Sequence, residues 1–136
     1  MSRFRVLIAE DDEVMQNTWR RILEHDYDVV GAFADGQAAL DGVQQLRPDL
    51  VLLDISMPVL NGFEVALELS KQLPKVKMVF VTAHVESVYA DEAFRCGADG
   101  YVVKARAAGE LPEAARRVLQ GGSFRSPLAG DYQPLS

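Results

Sequence analysis

Cys96 is the lone cysteine in 136 residues. No internal disulfide can form, so a reducing compartment suits the chain. A thiol in that setting behaves mostly as a small buried hydrophobe. No apolar run approaches the ~20 residues of a membrane-spanning helix. Met1-Ser2-Arg3-Phe4-Arg5 leads straight into an apolar stretch, without a signal-peptide layout. The chain therefore reads as cytoplasmic. Positive charge is scarce too: 14 Lys and Arg face 20 Asp and Glu, a net charge of -6. Such a surface does not grip DNA or an anionic membrane by itself, and it is compatible with binding cations. Neither a P-loop nor a G-x-G-x-x-G follows the first strand, which leaves the common nucleotide-binding layouts without support. What remains is an ordinary globular composition, long enough for one domain with a real core.

Leu50-Val51-Leu52-Leu53 is an unbroken apolar run that stops at Asp54. A short run of this kind suits a strand buried on both faces of a parallel sheet. An ionised carboxylate at its end needs solvent, a partner or a metal, so Asp54 is expected where the strand leaves the core. Phe4 to Ala9 is a similar strand, ending at Glu10-Asp11-Asp12-Glu13. Val14, Met15, Thr18, Trp19, Ile22 and Leu23 then recur at helical spacing. Tyr27 to Ala32 predicts a second strand, and Ala39, Leu40, Val43 and Leu46 a second helix that stops before Pro48. A third helix spans Phe63 to Leu73. Strand four runs from Val76 to Val81 and ends at Thr82. A helix from about Glu86 to Arg95 follows, and Gly100 to Val103 is a fifth strand ending at Lys104. Leu111, Ala114, Ala115, Val118 and Leu119 form the last helix, with Pro112 expected in its first turn. From Ser123 the periodicity is lost, so residues 123–136 are expected to be a linker or frayed tail behind a domain of residues 1–122.

Strand and helix alternate five times. That implies an α/β fold: a five-stranded parallel sheet with helices on both faces. In such a sheet the C-terminal strand ends share one edge, where ligands bind. Those ends carry Glu10, Asp11, Asp54, Thr82 and Lys104. Taken singly, acids after a strand are helix N-terminal charges, Thr82 is a cap, and Lys104 is a solvated lysine. Together they converge three acids, a hydroxyl and an ammonium. Crowded carboxylates call for a cation, and oxygen ligands without His or Cys select Mg²⁺ or a similar hard ion. Asp11, Asp54 and the backbone carbonyl of Ser56 are the expected direct ligands, with Glu10 mainly through water. A carboxylate beside such an ion, a hydroxyl and a lysine suits a phosphoryl acceptor, with Asp54 the nucleophile.

The segments Val6-Leu7-Ile8-Ala9-Glu10-Asp11-Asp12, Asp49 to Pro58 with Asn61-Gly62, Val81-Thr82-Ala83 and Gly97 to Lys104 resemble, in order and spacing, the receiver domain of two-component response regulators. The resemblance implies a flavodoxin-like sheet of order 2-1-3-4-5. It implies Asp54 as phosphoacceptor, Glu10 and Asp11 as the acidic pair, Thr82 as the switch hydroxyl, Tyr101 as the switch aromatic and Lys104 as the phosphate-pairing lysine. The implied partner is a sensor histidine kinase or phosphotransfer protein. The output face, around helix four, strand five and helix five, falls at about Glu86 to Gln120, where partners or a homodimer would dock. Two departures matter. Ala105 stands where the family often has proline in a cis bond; a cis bond before alanine costs ~3 kcal/mol, so trans is expected. Ser56 and His84 flank the phosphoryl position, and His84 is expected on the rim.

Gly100 to Ala105 followed by Leu119-Gln120-Gly121-Gly122-Ser123-Phe124-Arg125-Ser126-Pro127 resembles NarL/LuxR-type regulators, in which a linker leads to a helix-turn-helix. The resemblance implies transcriptional output through such a domain, with this segment an excised receiver or a stand-alone regulator. Two other readings stay open: a receiver-like binding module that works by constitutive contacts, and a dehalogenase-type phosphatase. The phosphatase places a second aspartate two residues after the nucleophile, where this chain has Ser56.

Overall fold

The computed structural model describes residues 3–128. Strands β1 (Arg5–Ala9), β2 (Asp28–Phe33), β3 (Leu50–Leu53), β4 (Lys77–Thr82), β5 (Gly100–Val103) and β6 (Phe124–Arg125) form one sheet. Helices α1 (Glu13–Leu23), α2 (Gly36–Leu46), α3 (Gly62–Gln72), α4 (Ser87–Arg95) and α5 (Ala107–Leu119) connect them. Strand order is β2-β1-β3-β4-β5-β6, every pair parallel. None of the described helices is long and apolar enough to cross a membrane.

Alternation along each strand splits the core into two layers. Leu7, Ala9, Val51, Leu53, Met78, Phe80, Tyr101 and Val103 face α2, α3 and α4. Val6, Ile8, Leu50, Leu52, Val79, Val81 and Val102 face α1 and α5. β1, β3, β4 and β5 are buried on both faces, which explains their unbroken apolar sequences. Each fully buried Val, Leu or Ile contributes about 1.5–3 kcal/mol by leaving water.

Polar residues set the helix starts. Asp12, Asp35 and Asn61 are the N-caps of α1, α2 and α3, each side chain accepting a backbone N–H. Asn61 and Glu64 close a reciprocal capping box at 2.9 Å each way. Gly62 is needed next to it: a Cβ there would lie 2.2 Å from the Asp54 carbonyl oxygen. The start of α3 is thereby held against the end of β3.

Two expectations need correction. The five-stranded sheet is one strand short. β6 pairs with β5, Gly100 opposite Phe124 and Tyr101 opposite Arg125, inside the expected linker. Ser126 and Leu128 are buried, so residues 123–128 pack onto the domain; residues 129–136 lie outside the described residues. The second concerns α5, which begins at Ala107 after a 3₁₀ turn at Lys104–Arg106. Pro112 is therefore in its second turn, not its first. The helix tolerates it because the carbonyl deprived of a donor belongs to the exposed Ala108, within reach of solvent.

Candidate functional site

The chain order reverses between β1 and β3, the place where open α/β sheets bind ligands. Glu10 follows β1 and Asp54 follows β3. Glu10 N–H donates to Phe33 O at 3.0 Å and Asp54 N–H to Ala9 O at 3.1 Å, so both acids are pinned by ladder bonds. Gln16 on α1 adds a donor to the Glu10 carbonyl at 2.5 Å.

The side chains meet over this edge. Lys104 Nζ donates to Glu10 Oε1 at 2.7 Å and to Asp54 Oδ2 at 2.9 Å. Asp54 Oδ1 accepts from Ile55 N–H at 2.7 Å. One carboxylate oxygen each of Glu10, Asp11 and Asp54 lie within 4.8 Å of one another. Asp54 is 4% exposed and Glu10 fully buried, so both sit deeper than an open lip, while Asp11 is exposed. Asp12 does not join them; it caps α1 through Val14 N–H.

Burial has an electrostatic consequence. It pushes the Glu10 carboxyl up to about 7, against the Lys104 hydrogen bond, while the Asp54 charge pushes the same way. Burial alone would lower the Lys104 ammonium, but its bonds to Glu10 and Asp54 outweigh this and raise it. Glu10 Oε2 is buried with no hydrogen-bond partner among the described residues. An orphaned oxygen in an all-oxygen acidic cluster fits a hard divalent cation.

Thr82 and Tyr101 converge on one backbone segment. Thr82 Oγ1, at the end of β4, accepts from His84 N–H at 3.4 Å. Tyr101 is fully buried, and its hydroxyl donates to the His84 carbonyl at 2.9 Å. Burial, with the Glu86 and Asp54 charges, pushes the phenol far above its ordinary value. The His84 ring is half-buried, stacks on Tyr89 of α4 at 4.2 Å between centroids, and lies 3.4 Å from Ser56 Oγ. The backbone of His84 also joins the two switch candidates. Nothing in a single histidine announces that, nor the role of Tyr89. The bond from Lys104 to Ala105 is trans.

Fold and site together define a doubly wound α/β domain with an acidic pocket and one bridging lysine. The sequence matches the response regulator receiver domain family over residues 6–116, and the chain belongs to that family. It is 33% identical over 128 residues to the transcriptional regulatory protein DegU of Brevibacillus brevis, covering 93% of this chain and 54% of that one. It is 32% identical to the response regulator protein VraR of Staphylococcus epidermidis, covering 90% of this chain and 60% of that one. The chain thus spans little more than half the length of these relatives. A LuxR-family two-component response regulator from Aurantimonas sp. SI85-9A1 superposes with a TM-score of 0.88 at 30% identity, covering 93% and 91% of the two chains. The receiver domain of the putative NarL of Mycobacterium tuberculosis superposes with a TM-score of 0.83 at 30% identity, covering 89% and 99%. These likenesses make it a NarL/LuxR-like receiver. Receiver domains are in general signalling domains, not enzymes with a turnover substrate.

Proposed function

We propose that this domain is a phosphorylation-dependent switch in which Asp54 takes a phosphoryl group from a sensor histidine kinase or phosphotransfer protein. The observation that carries the reading is the Lys104 ammonium held on both Asp54 and Glu10, beside Asp11. An Asp54 oxygen forms the new bond to phosphorus. The bond from phosphorus to the donor's histidine nitrogen breaks, and the nitrogen keeps the electron pair. Lys104 and the Thr82 hydroxyl compensate charge on the transferred oxygens. Glu10, Asp11, Asp54 and the Ser56 carbonyl would hold Mg²⁺, which supplies neutralisation of the phosphoryl oxygens when bound. The domain catalyses its own phosphorylation and dephosphorylation and turns over no separate substrate.

Thr82 and Tyr101 would carry the change outward, since both are tied to His84 and hence to α4. Partners or a second copy would read it at α4, β5 and α5, by population shift. That face also includes β6, so we count residues 123–128 as part of the receiver unit. Because the longer relatives DegU and VraR are a transcriptional regulatory protein and a response regulator, we assign the whole protein a transcriptional output in the cytoplasm, through a helix-turn-helix domain.

Incubation with acetyl phosphate and Mg²⁺ tests the chemistry by intact mass. Wild type is expected to gain one phosphoryl group and Asp54→Ala none. Equal labelling of the two, or steady turnover of a generic phosphomonoester, overturns the assignment. Identical spectra of both proteins with beryllofluoride would favour the constitutive binding module.

A further inference from the structure

Three groups converge on the Lys104 ammonium. Two are the carboxylates of Glu10 and Asp54. The third is the indole of Trp19, whose ring centroid lies 5.8 Å from Nζ. Trp19 is the one tryptophan of the chain, on the buried face of α1 in the layer shared with α5. Its side chain is fully buried, and its indole N–H has no hydrogen-bond partner among the described residues. Hydrogen bonding therefore does not explain a tryptophan here. An aliphatic side chain would fill an apolar layer without burying an unpaired donor. What the indole offers, and an aliphatic group lacks, is an electron-rich face turned to a cation.

Lys104 has a use for such a face. It stands on a 3₁₀ turn followed by the exposed Ala105 and Arg106. Its side chain is long and rotamer-rich, so holding it still costs entropy. We propose that Trp19 is a positioning residue for Lys104: its ring face keeps the ammonium at the pocket, preset for a phosphoryl group on Asp54. The proposal rests on the phosphoacceptor reading above. When Asp54 becomes an acyl phosphate, negative charge moves from its carboxylate to the phosphoryl oxygens, and the ammonium has to follow. Glu10 and Trp19 stay as fixed points for that pivot. Attraction to a ring face is weakly directional, so it tolerates the movement better than a third hydrogen bond.

A double-mutant cycle separates this from simple packing. Beryllofluoride binding in the presence of Mg²⁺ is followed by ¹⁹F NMR for wild type, Trp19→Phe and Trp19→Leu, each with and without Lys104→Ala. Trp19→Leu is expected to weaken binding by about three- to tenfold, and Trp19→Phe, which keeps a ring face, by about twofold or less. In the Lys104→Ala background the Phe and Leu variants should bind alike. Equal losses in Phe and Leu with Lys104 present, or a Leu effect that persists without Lys104, overturn the proposal.

The unmodified protein supplies a second measurement that needs no variant to fold. The ε-methylene protons of Lys104 should resonate upfield of those of the other lysines, because the indole ring current shields them. An unshifted signal overturns the proposal. Wild type that binds no beryllofluoride overturns the phosphoacceptor reading instead, and the methylene shift then decides on Trp19 alone.

Discussion

The pocket at β1 and β3 is buried and the flank where β6 lies on β5 is half-buried, and they are held by different forces. In the pocket one ammonium offsets two buried carboxylates. On the flank the ties are mostly a backbone ladder and a hydroxyl. Ser126 N–H donates to Tyr101 O at 2.9 Å, and Val103 N–H donates to Ser126 Oγ at 3.1 Å. The Ser126 hydroxyl in turn donates to the Glu110 carboxylate of α5. Leu128 adds an apolar anchor in the layer with α4. The pocket should therefore answer to divalent cations and to pH between 5 and 8, and the flank much less to either. A charge-based site stores a response; a ladder stores only stability.

The largest effect that would break this contrast comes from Lys104→Met. It leaves the buried Glu10 and Asp54 charges facing each other, a change that costs about 3 kcal/mol in comparable buried pairs. Urea unfolding without divalent ions should show that loss at pH 8 and a smaller one at pH 5, where Glu10 takes up a proton. Equal losses at both pH values would mean that the lysine acts by packing alone.

Glu10→Gln sharpens the same side of the comparison. The native carboxyl is pushed up to about 7 from an ordinary 4.5. Between those values the folded protein holds a proton that the unfolded chain has released. The group's stabilising contribution is complete below 4.5 and is lost as pH rises through about 7. Wild type should therefore lose about 2 kcal/mol more than Glu10→Gln between pH 5 and pH 8. Unfolding curves that run parallel across that range would show that Glu10 is not penalised by burial.

Ser126→Ala tests the flank. It removes the acceptor for Val103 N–H and the donor to Glu110, both buried or half-buried, at a cost of about 1–2 kcal/mol. Because no carboxyl in the pocket is touched, the loss should be the same at pH 6 and pH 8. Amide exchange at Val103 should quicken. A pH-dependent loss would tie the flank electrically to the pocket.

The two regions also differ in how far they could be read from the sequence. The pocket was legible because each member is a charged or polar residue closing an unbroken apolar run: Glu10 after Val6-Leu7-Ile8-Ala9, Asp54 after β3, Lys104 after β5. The parallel α/β architecture was legible for the same reason, since fully apolar strands alternating with amphipathic helices admit few topologies, whereas the strand order came from the family resemblance. β6 was not, because two residues, Phe124 and Arg125, cannot show an alternation and Gly121-Gly122 reads as an ending. The first turn of α5 was missed because Ala107, Ala108 and Gly109 carry no apolar period. Trp19 counted only as one more residue on the core face of α1. Its place beside Lys104, 85 positions away in the chain, follows from tertiary structure alone.

The smallest expected effect decides what holds β6 in place. Asp91 on α4 pairs with Arg125 at 2.9 Å, with 54% and 31% of the side chains exposed. Exposed pairs contribute about 0.2–1 kcal/mol, and salt screens them. Asp91→Ala should therefore lower stability by about 0.5 kcal/mol or less. Hydrogen exchange at Ser126 should barely change, because its N–H stays on Tyr101 O and its hydroxyl stays on Glu110. If exchange at Ser126 instead rises to that of an open chain, α4 is what secures the segment and the β5 ladder is secondary. Any movement of α4 that follows a change at Thr82 and His84 would then release β6 together with the residues beyond it. A silent Asp91→Ala leaves β5, and with it Tyr101, as the route by which the pocket reaches the flank.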